Sequence, residues 1–385
     1  MDQEYFSTIL KALSTQNAGL LCSCLTLQES LHYGGKRMVE ALSCSKADSV
    51  HIFPEQIRSM EEIVFAHMKS LRSLQQHDYP KAWKMQKQGL DIIVNFIPEL
   101  GADWLIPLVI QYIKESRLVT YKVRREKNDD IEIPKAVESK EIAECTMAIR
   151  NVATVFNNRK DVAYGLTNES NRLPSYQSIN ELAKILFFQG SLRLCEDIYE
   201  SYHDRIEQEL DQCSLSQMCT YYYYCGRVRL YEDNYKDAQI LLNHALQTCD
   251  PNSVHNMEMI LFFLIPVNMM FGVLPKEALL QQFHFTLYER LSKAIRCGNL
   301  RDYTLLLHDY EAILIQRGLY LIVTSLKILV QRTFVKRVVD LYGSAQIPFS
   351  VIHKALDLQD QHMTDSELLC MLSLLKYRVF IFYEE

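Results

Sequence analysis

The chain has 385 residues, 48% of them hydrophobic, with 12 glycines and 10 prolines, well below the typical shares of roughly 7% and 5%. That length allows two or three domains of about 100–200 residues or one long solenoid, and so few breakers make the chain mostly helical. A net charge of −6 excludes coating of nucleic acid by bulk electrostatics but leaves room for a local basic patch.

The start, MDQEYFSTILKAL, is acidic and lacks the positive-then-apolar layout of a signal peptide. Residues 1–50 are otherwise small and polar, and predict loosely packed helices or partial disorder. From Pro54, PEQIRSMEEIVFAHMKSLRSL puts Ile57, Met60, Ile63, Val64, Met68 and Leu71 on one helical face, with Pro54 suited to a first turn. Helices are expected next at Pro80–Pro98 and Trp104–Ser116. YKVRREKNDDIEIP (Tyr121–Pro134) reads as a surface loop, and helix resumes at Ser139–Asn157. After a break through NNRKDVAYGLTNESNRLP, helix continues from Glu181.

Thr220–Pro275 is the most informative stretch. Its first part looks like one helix-turn-helix unit of the tetratricopeptide kind. Gly226 permits close approach of a neighbouring helix, Asn234 breaks the first helix, and Ala238, Leu241, Leu242 and Ala245 form an apolar stripe on the second. Such a unit cannot bury its apolar face alone, so it implies stacked neighbours. The longest apolar run, Met259–Leu274, contains Pro266 and Asn268 and falls short of the ~20 residues of a membrane span. It predicts a buried core helix and no membrane partner. The four tyrosines Tyr221–Tyr224 point in four directions around a helix, which favours packing between repeats over a base-stacking platform.

Leu319–Tyr342 reads as one long amphipathic helix with Leu319, Ile322, Leu326, Leu329, Val330 and Leu341 inward, stopped at Gly343. A short helix follows at Pro348–Leu358. Thr364-Asp365-Ser366-Glu367 is a capping box for a third helix to about Leu375. YRVFIFY (Tyr377–Tyr383) carries the clearest strand signal in the chain. Three helices and a strand follow the order of a winged helix, and the chain ends too soon after the strand for a full wing. The expected architecture is all-α: a right-handed, tetratricopeptide-like helical-repeat solenoid capped by a C-terminal winged helix with a shortened wing. Its expected parts are an ill-defined segment at 1–50, N-terminal helical repeats at 51–206, a further helical domain at 207–318 and the winged helix at 319–385.

Chemistry is hard to find. No phosphate-cradling glycine motif is present, and Gly34-Gly35-Lys36 has no preceding strand. Cys22-x-Cys24 is too closely spaced for zinc and lacks a second pair. The 11 cysteines are odd in number and scattered, which fits reduced thiols in the cytosol or nucleus. The 11 histidines do not cluster along the chain. Asn168-Glu169-Ser170 matches a glycosylation acceptor, yet nothing suggests secretion. The reading is therefore a non-enzymatic protein without catalytic residues, cofactor or metal. From Arg317 to Glu385 there are eight basic and seven acidic residues, so this region is near neutral within an acidic protein. Lys327, Arg332, Lys336 and Arg337 lie on the long helix, Arg332 and Lys336 on the same face, and Lys354, Lys376 and Arg378 follow. On the residues alone, this is either a solvated helix face or a phosphate-binding surface.

Four ordered segments carry a family resemblance: WLIPLV (Trp104–Val109), ELAKILFFQGSLRLCEDIYES (Glu181–Ser201), MILFFLIPVNMMFGVLP after the repeat, and HDYEAILIQRGLYLIVTSLKILVQRTFVKRV (His308–Val338). Together they resemble PCI-domain proteins of the TREX-2 messenger-RNA export complex and their signalosome-associated relatives, over roughly Trp104–Leu375. The resemblance makes 207–318 and 319–385 the helical and winged-helix parts of a PCI domain. It implies a scaffold subunit, nuclear and pore-associated with room for a cytoplasmic pool, coupling transcription to mRNA export. Its implied partners are a large scaffold subunit and a small, acidic, disordered subunit. It also implies a composite RNA or DNA surface that takes in the seven cations, where lysine and arginine neutralise phosphates without reading sequence. Proteasome-lid and translation-initiation scaffold subunits are the more distant alternatives.

Overall fold

The computed structural model describes residues 2–28, 32–33, 35, 40, 58–100, 103–127, 140–157, 173–209, 213–344 and 346–377. Regular structure among them is entirely helical, as the glycine- and proline-poor composition implies. The chain divides into two compact units, Met1–Thr220 and Tyr221–Glu385.

The first unit opens with α1 (Asp2–Ser14) and α2 (Ala18–Cys24), the latter capped by Asn17, whose side chain accepts from the Leu20 amide at 3.0 Å. These helices are not loosely packed, contrary to expectation. Tyr5, Ile9, Leu21 and Leu25 are completely buried, because apolar residues recur at helical spacing among the serines and glutamines. Helices α3 (Arg58–Gln75) and α4 (Tyr79–Leu100) form a hairpin around His77, which takes a left-handed conformation at φ 58°. The predicted stripe of Met60, Ile63, Val64, Met68 and Leu71 is buried; Pro54 and Ile57 lie outside the described residues.

A short 3-10 turn at Asp103–Leu105 leads into α5 (Ile106–Lys127), which packs on α2, α4, α6 (Lys140–Asn157) and α7 (Leu173–Gln189). The loop expected from Tyr121 is helix as far as Lys127, since Val119 and Val123 extend the buried stripe by one more turn. The rest of that loop lies outside the described residues. Pro174 occupies the first turn of α7, where the missing amide costs nothing. Helix α8 (Leu192–Glu209) follows on α7. Buried between α5 and α7 is an ion cluster. Glu181 accepts from Arg117 Nε at 2.5 Å, Lys184 Nζ at 2.7 Å and Gln177 Nε2 at 2.9 Å. Burial pushes its carboxyl up, but Lys184 and Arg117 outweigh that and hold it below the usual range.

The histidines, scattered along the sequence, do meet in this unit: the rings of His32 and His67 stack at 6.0 Å, and Tyr5 stacks on His32 at 6.0 Å. His67 is fully buried, and neither of its ring nitrogens finds a partner among the described residues.

Helix α9 (Leu215–Tyr231) carries the tyrosine run; in the second unit Tyr221 and Tyr223 are buried and Arg227 lies 4.4 Å from the Phe263 ring centroid. The run packs, as expected. Asn234 caps α10 (Tyr235–Thr248), which lies on α11 (Val254–Met270), the predicted buried apolar helix with Pro266 inside it. A Cβ on Gly226 would sit 2.8 Å from Leu242 Cγ, so the expected close approach of α9 and α10 is present. Consecutive helices packing side by side give each unit the helical-repeat character expected of a solenoid. Both Cys297 and Cys370 are exposed, whereas Cys145 is buried and its thiol is pushed up to about 12, burial being the main cause.

Two predictions follow from this packing. Gly226→Ala overpacks the α9–α10 contact at a cost of about 1–3 kcal/mol, against the ~1 kcal/mol that alanine gains over glycine inside a helix. Net loss of stability is expected in urea unfolding followed by circular dichroism, and a stabilised variant would refute the contact. Burial holds the His67 imidazole down to about 3, with His32 adding to the effect. Unfolded histidine takes up a proton that folded His67 refuses, so the first unit loses stability as pH falls from about 6.5 toward 3, by up to about 1.4 kcal/mol per pH unit. The two tryptophans, Trp83 and Trp104, both report on this unit. His67→Phe should flatten the pH dependence of their unfolding midpoint, and parallel curves for variant and wild type would contradict the assignment.

Candidate nucleic-acid interface

The C-terminal cations stand on a frame that begins with α12 (Glu277–Gln282) and α13 (Thr286–Cys297). Helix α13 ends at Gly298 (φ 61°), and α14 (Leu300–Arg317) starts from an Asn299 cap. Gly318 (φ 73°) closes α14 and leads to α15 (Tyr320–Ser325) and α16 (Lys327–Tyr342). The single long helix expected from Leu319 is therefore two, joined at Leu326, whose amide bonds back to both Ile322 and Val323. Tyr303 takes part in this junction, its hydroxyl donating to the carbonyls of Val323 (2.9 Å) and Thr324 (3.1 Å). Helices α17 (Phe349–Asp357) and α18 (Asp365–Tyr377) complete the frame, and both pack on α16. The capping box holds α18: the Thr364 amide donates to Glu367 Oε2 at 2.7 Å, and the Glu367 amide donates back to Thr364 Oγ1 at 3.3 Å.

Helix α16 is two-faced. Ile328, Leu329, Val330, Phe334, Val335 and Val338 are buried against its neighbours. Lys327, Arg332, Lys336 and Arg337 are all exposed, as is Leu341 at 89%, which lies past the last buried turn and not inward as expected. With a rise of about 1.5 Å per residue, the four cations extend over about 15 Å of helix. Lys354 on α17 and Lys376 on α18 are exposed as well, and Arg378 lies outside the described residues together with the rest of the predicted strand. A cleft of about 340 Å³ opens beside Lys327, lined by Met270, Ser325, Leu329, Gln331 and Leu374.

Charge matching separates this face from its surroundings. Acidic side chains in and around the α17–α18 turn are engaged internally: Asp357 with His362 (2.8 Å), Asp360 with Arg301 (2.5 Å) and Asp365 with His353 (2.7 Å). No ion pair engages Lys327, Lys336, Arg337 or Lys354 among the described residues, so these four keep their charge available to an outside anion. Among the described residues no group of three or more His, Cys, Asp or Glu is placed to hold a metal ion, and no helix is long and apolar enough to cross a membrane.

Two residues that sequence reasoning missed fix this frame. A Cβ on Gly298 would lie 2.5 Å from the Phe334 amide nitrogen, so α13 meets α16 backbone to backbone. Gln359, from the α17–α18 turn, accepts from the Leu300 amide at 2.8 Å and donates to the Gly298 carbonyl at 3.2 Å. Gly298-Asn299 carried a helix-stop and helix-start signal; Gln359 carried none.

No family model matches the sequence. A PCI domain-containing protein 2 homolog of Drosophila melanogaster is 29% identical over 300 residues, which cover 77% of this chain and 73% of that protein. PCI domain-containing protein 2 of Danio rerio is 23% identical over 379 residues, 97% of this chain and 91% of the other. A protein CSN12 homolog of Gibberella zeae is 25% identical over 337 residues, 78% and 73% of the two chains. The similarity to these relatives extends over most of this chain, and it supports a PCI-domain protein of the kind they represent.

Proposed function

We propose that the protein is a non-enzymatic scaffold subunit of a TREX-2-like complex, acting in the nucleus and at the nuclear pore to couple transcription to mRNA export. In this reading residues 207–318 form the helical part of the PCI domain, and 319–385 form its winged-helix part. A large scaffold subunit lies beside the winged helix, and a small acidic disordered subunit binds nearby. Together with the large subunit, Lys327, Arg332, Lys336, Arg337, Lys354, Lys376 and Arg378 make a composite surface for RNA or DNA phosphates.

The observation that carries the proposal is the exposed cation face of α16, where no ion pair engages Lys327, Lys336 or Arg337 among the described residues, set in a protein whose net charge of −6 opposes binding of nucleic acid elsewhere. Modest affinity in isolation and higher affinity in the complex follow from so few cations. The relatives named PCI domain-containing protein 2 support the assignment. Similarity to a CSN12 homolog supports a second reading, a signalosome-associated scaffold with the same fold and other partners.

Affinity purification from the native cells at moderate salt separates the two. Recovery of a large export scaffold with a small acidic subunit is expected, whereas signalosome subunits would replace the first reading with the second. In the purified complex, Lys336→Glu with Arg337→Glu should weaken RNA binding and lower the slope of log affinity against log salt by about 1.5–2. Partner capture should be unchanged, and an unaltered slope would remove α16 from the nucleic-acid surface.

A further inference from the structure

The segment from Cys22 to Gln28, the last turn of α2 and the residues just after it, is fastened to α5 by a single carboxyl group. Thr26 Oγ1 donates to Glu115 Oε1 at 2.7 Å and the Leu27 amide donates to the same oxygen at 3.0 Å. One turn earlier on α5, Gln111 Nε2 donates to the Cys22 carbonyl at 3.1 Å. Glu115 is only 3% exposed, and its second oxygen, Oε2, has no partner among the described residues.

The segment has space on both sides. A cleft of about 390 Å³ lies along one edge, lined by Leu27, Gln28, Leu74, Leu118 and Phe188. A second, of about 450 Å³, lies along the other, lined by Cys22, Ser23, Thr26, Pro107 and Lys114. Glu115 lines both clefts. Leu21, Cys24 and Leu25 anchor the segment in the core, so the polar fastening at Glu115 adjusts an opening equilibrium already set by apolar packing.

We propose that Cys22–Gln28 is a proton-controlled strap over α5, closed while Glu115 holds a proton and released more readily as it loses it. Opening the strap merges the two clefts into one groove along α5. This device is independent of the cation face of the second unit and goes beyond the function proposed above.

The groups that face Glu115 set the direction. From the strap side comes Cys22; from α5 come Tyr112, Gln111, Lys114, Tyr121 and Lys122. Neither lysine forms an ion pair with Glu115 among the described residues. Burial pushes the carboxyl up to about 7, against the pull of hydrogen bonds from Thr26, Leu27 and Gln111 that favour its charged form. An open strap exposes Glu115 to water and returns it to the ordinary range near 4.3. The closed state therefore binds one more proton than the open state between these two values, so raising the pH through that window favours opening, and above about 7 the effect levels off.

Hydrogen–deuterium exchange on the full chain tests this, with protection factors of peptides covering residues 20–28 measured from pH 5 to 8. Wild-type protection should fall close to tenfold per pH unit up to about pH 7 and then level off. Glu115→Gln, which keeps an acceptor for Thr26 and Leu27 but cannot titrate, should give a flat profile. His67 remains in both proteins, so its own pH response cancels in the comparison. Parallel profiles for wild type and variant would overturn the proposal. Should the variant fail to fold, the wild type still decides: a fall confined to residues 20–28 supports the strap, and the same fall in peptides of α7 and α8 overturns it.

Discussion

Helix α16 buries one side against its neighbours and shows cations on the other because α13 ends against it with only a hydrogen atom between the two backbones. At ordinary interhelical distance, side chains fill the 8–10 Å between axes. At Gly298 that spacing collapses, and the left-handed turn that glycine permits sends the chain straight into α14. Gln359 then ties the same turn to α17 and α18, so three connections meet at one point and the outer face of α16 is held from behind. Rigidity of this kind is what a charged surface of few cations requires, since each mobile side chain already costs entropy on binding.

Most of this frame was readable in the sequence wherever the signal was local. Asn234, Gly343 and the Thr364–Glu367 box end or begin helices as their side chains dictate, and Gly226 faces Leu242. Periodicity misled where an apolar stripe outlasted its helix or hid inside a polar composition. Leu326 continues the stripe of the preceding turn, yet the chain re-aims there, and Leu341 falls beyond the neighbours that would cover it. Around α1 the many polar side chains concealed Tyr5 and Ile9. The seven cations were visible as residue types, but which of them lack an internal partner depended on acidic residues from other helices.

Two buried glutamates in the first unit show how far such long-range pairing decides chemistry. Glu181 and Glu115 are both shut away from water, on adjacent packed helices. Two cations meet the first, one of them Arg117 from 64 residues away, and the group stays charged. The second meets neutral donors, Thr26 and Leu27 from 89 and 88 residues away and Gln111 on its own helix, and desolvation prevails. Lys184, three residues along the same helix, is the local part of the difference; Arg117 on one side and Thr26 and Leu27 on the other are tertiary partners that the neighbouring sequence does not announce.

Among the described residues, two groups of thiols differ chemically. Those of Cys22, Cys24 and Cys145 are held protonated by burial, and the thiolate is the reactive species. Among the described residues Cys297 and Cys370 are the exposed ones, the first beside the Gly298 turn and the second on α18. Among the described thiols, maleimide chemistry at neutral pH will therefore favour these two native positions on the frame that carries the cations. Fluorophores placed there give a distance ruler across the C-terminal helices without any engineered cysteine, suited to watching partner assembly in real time.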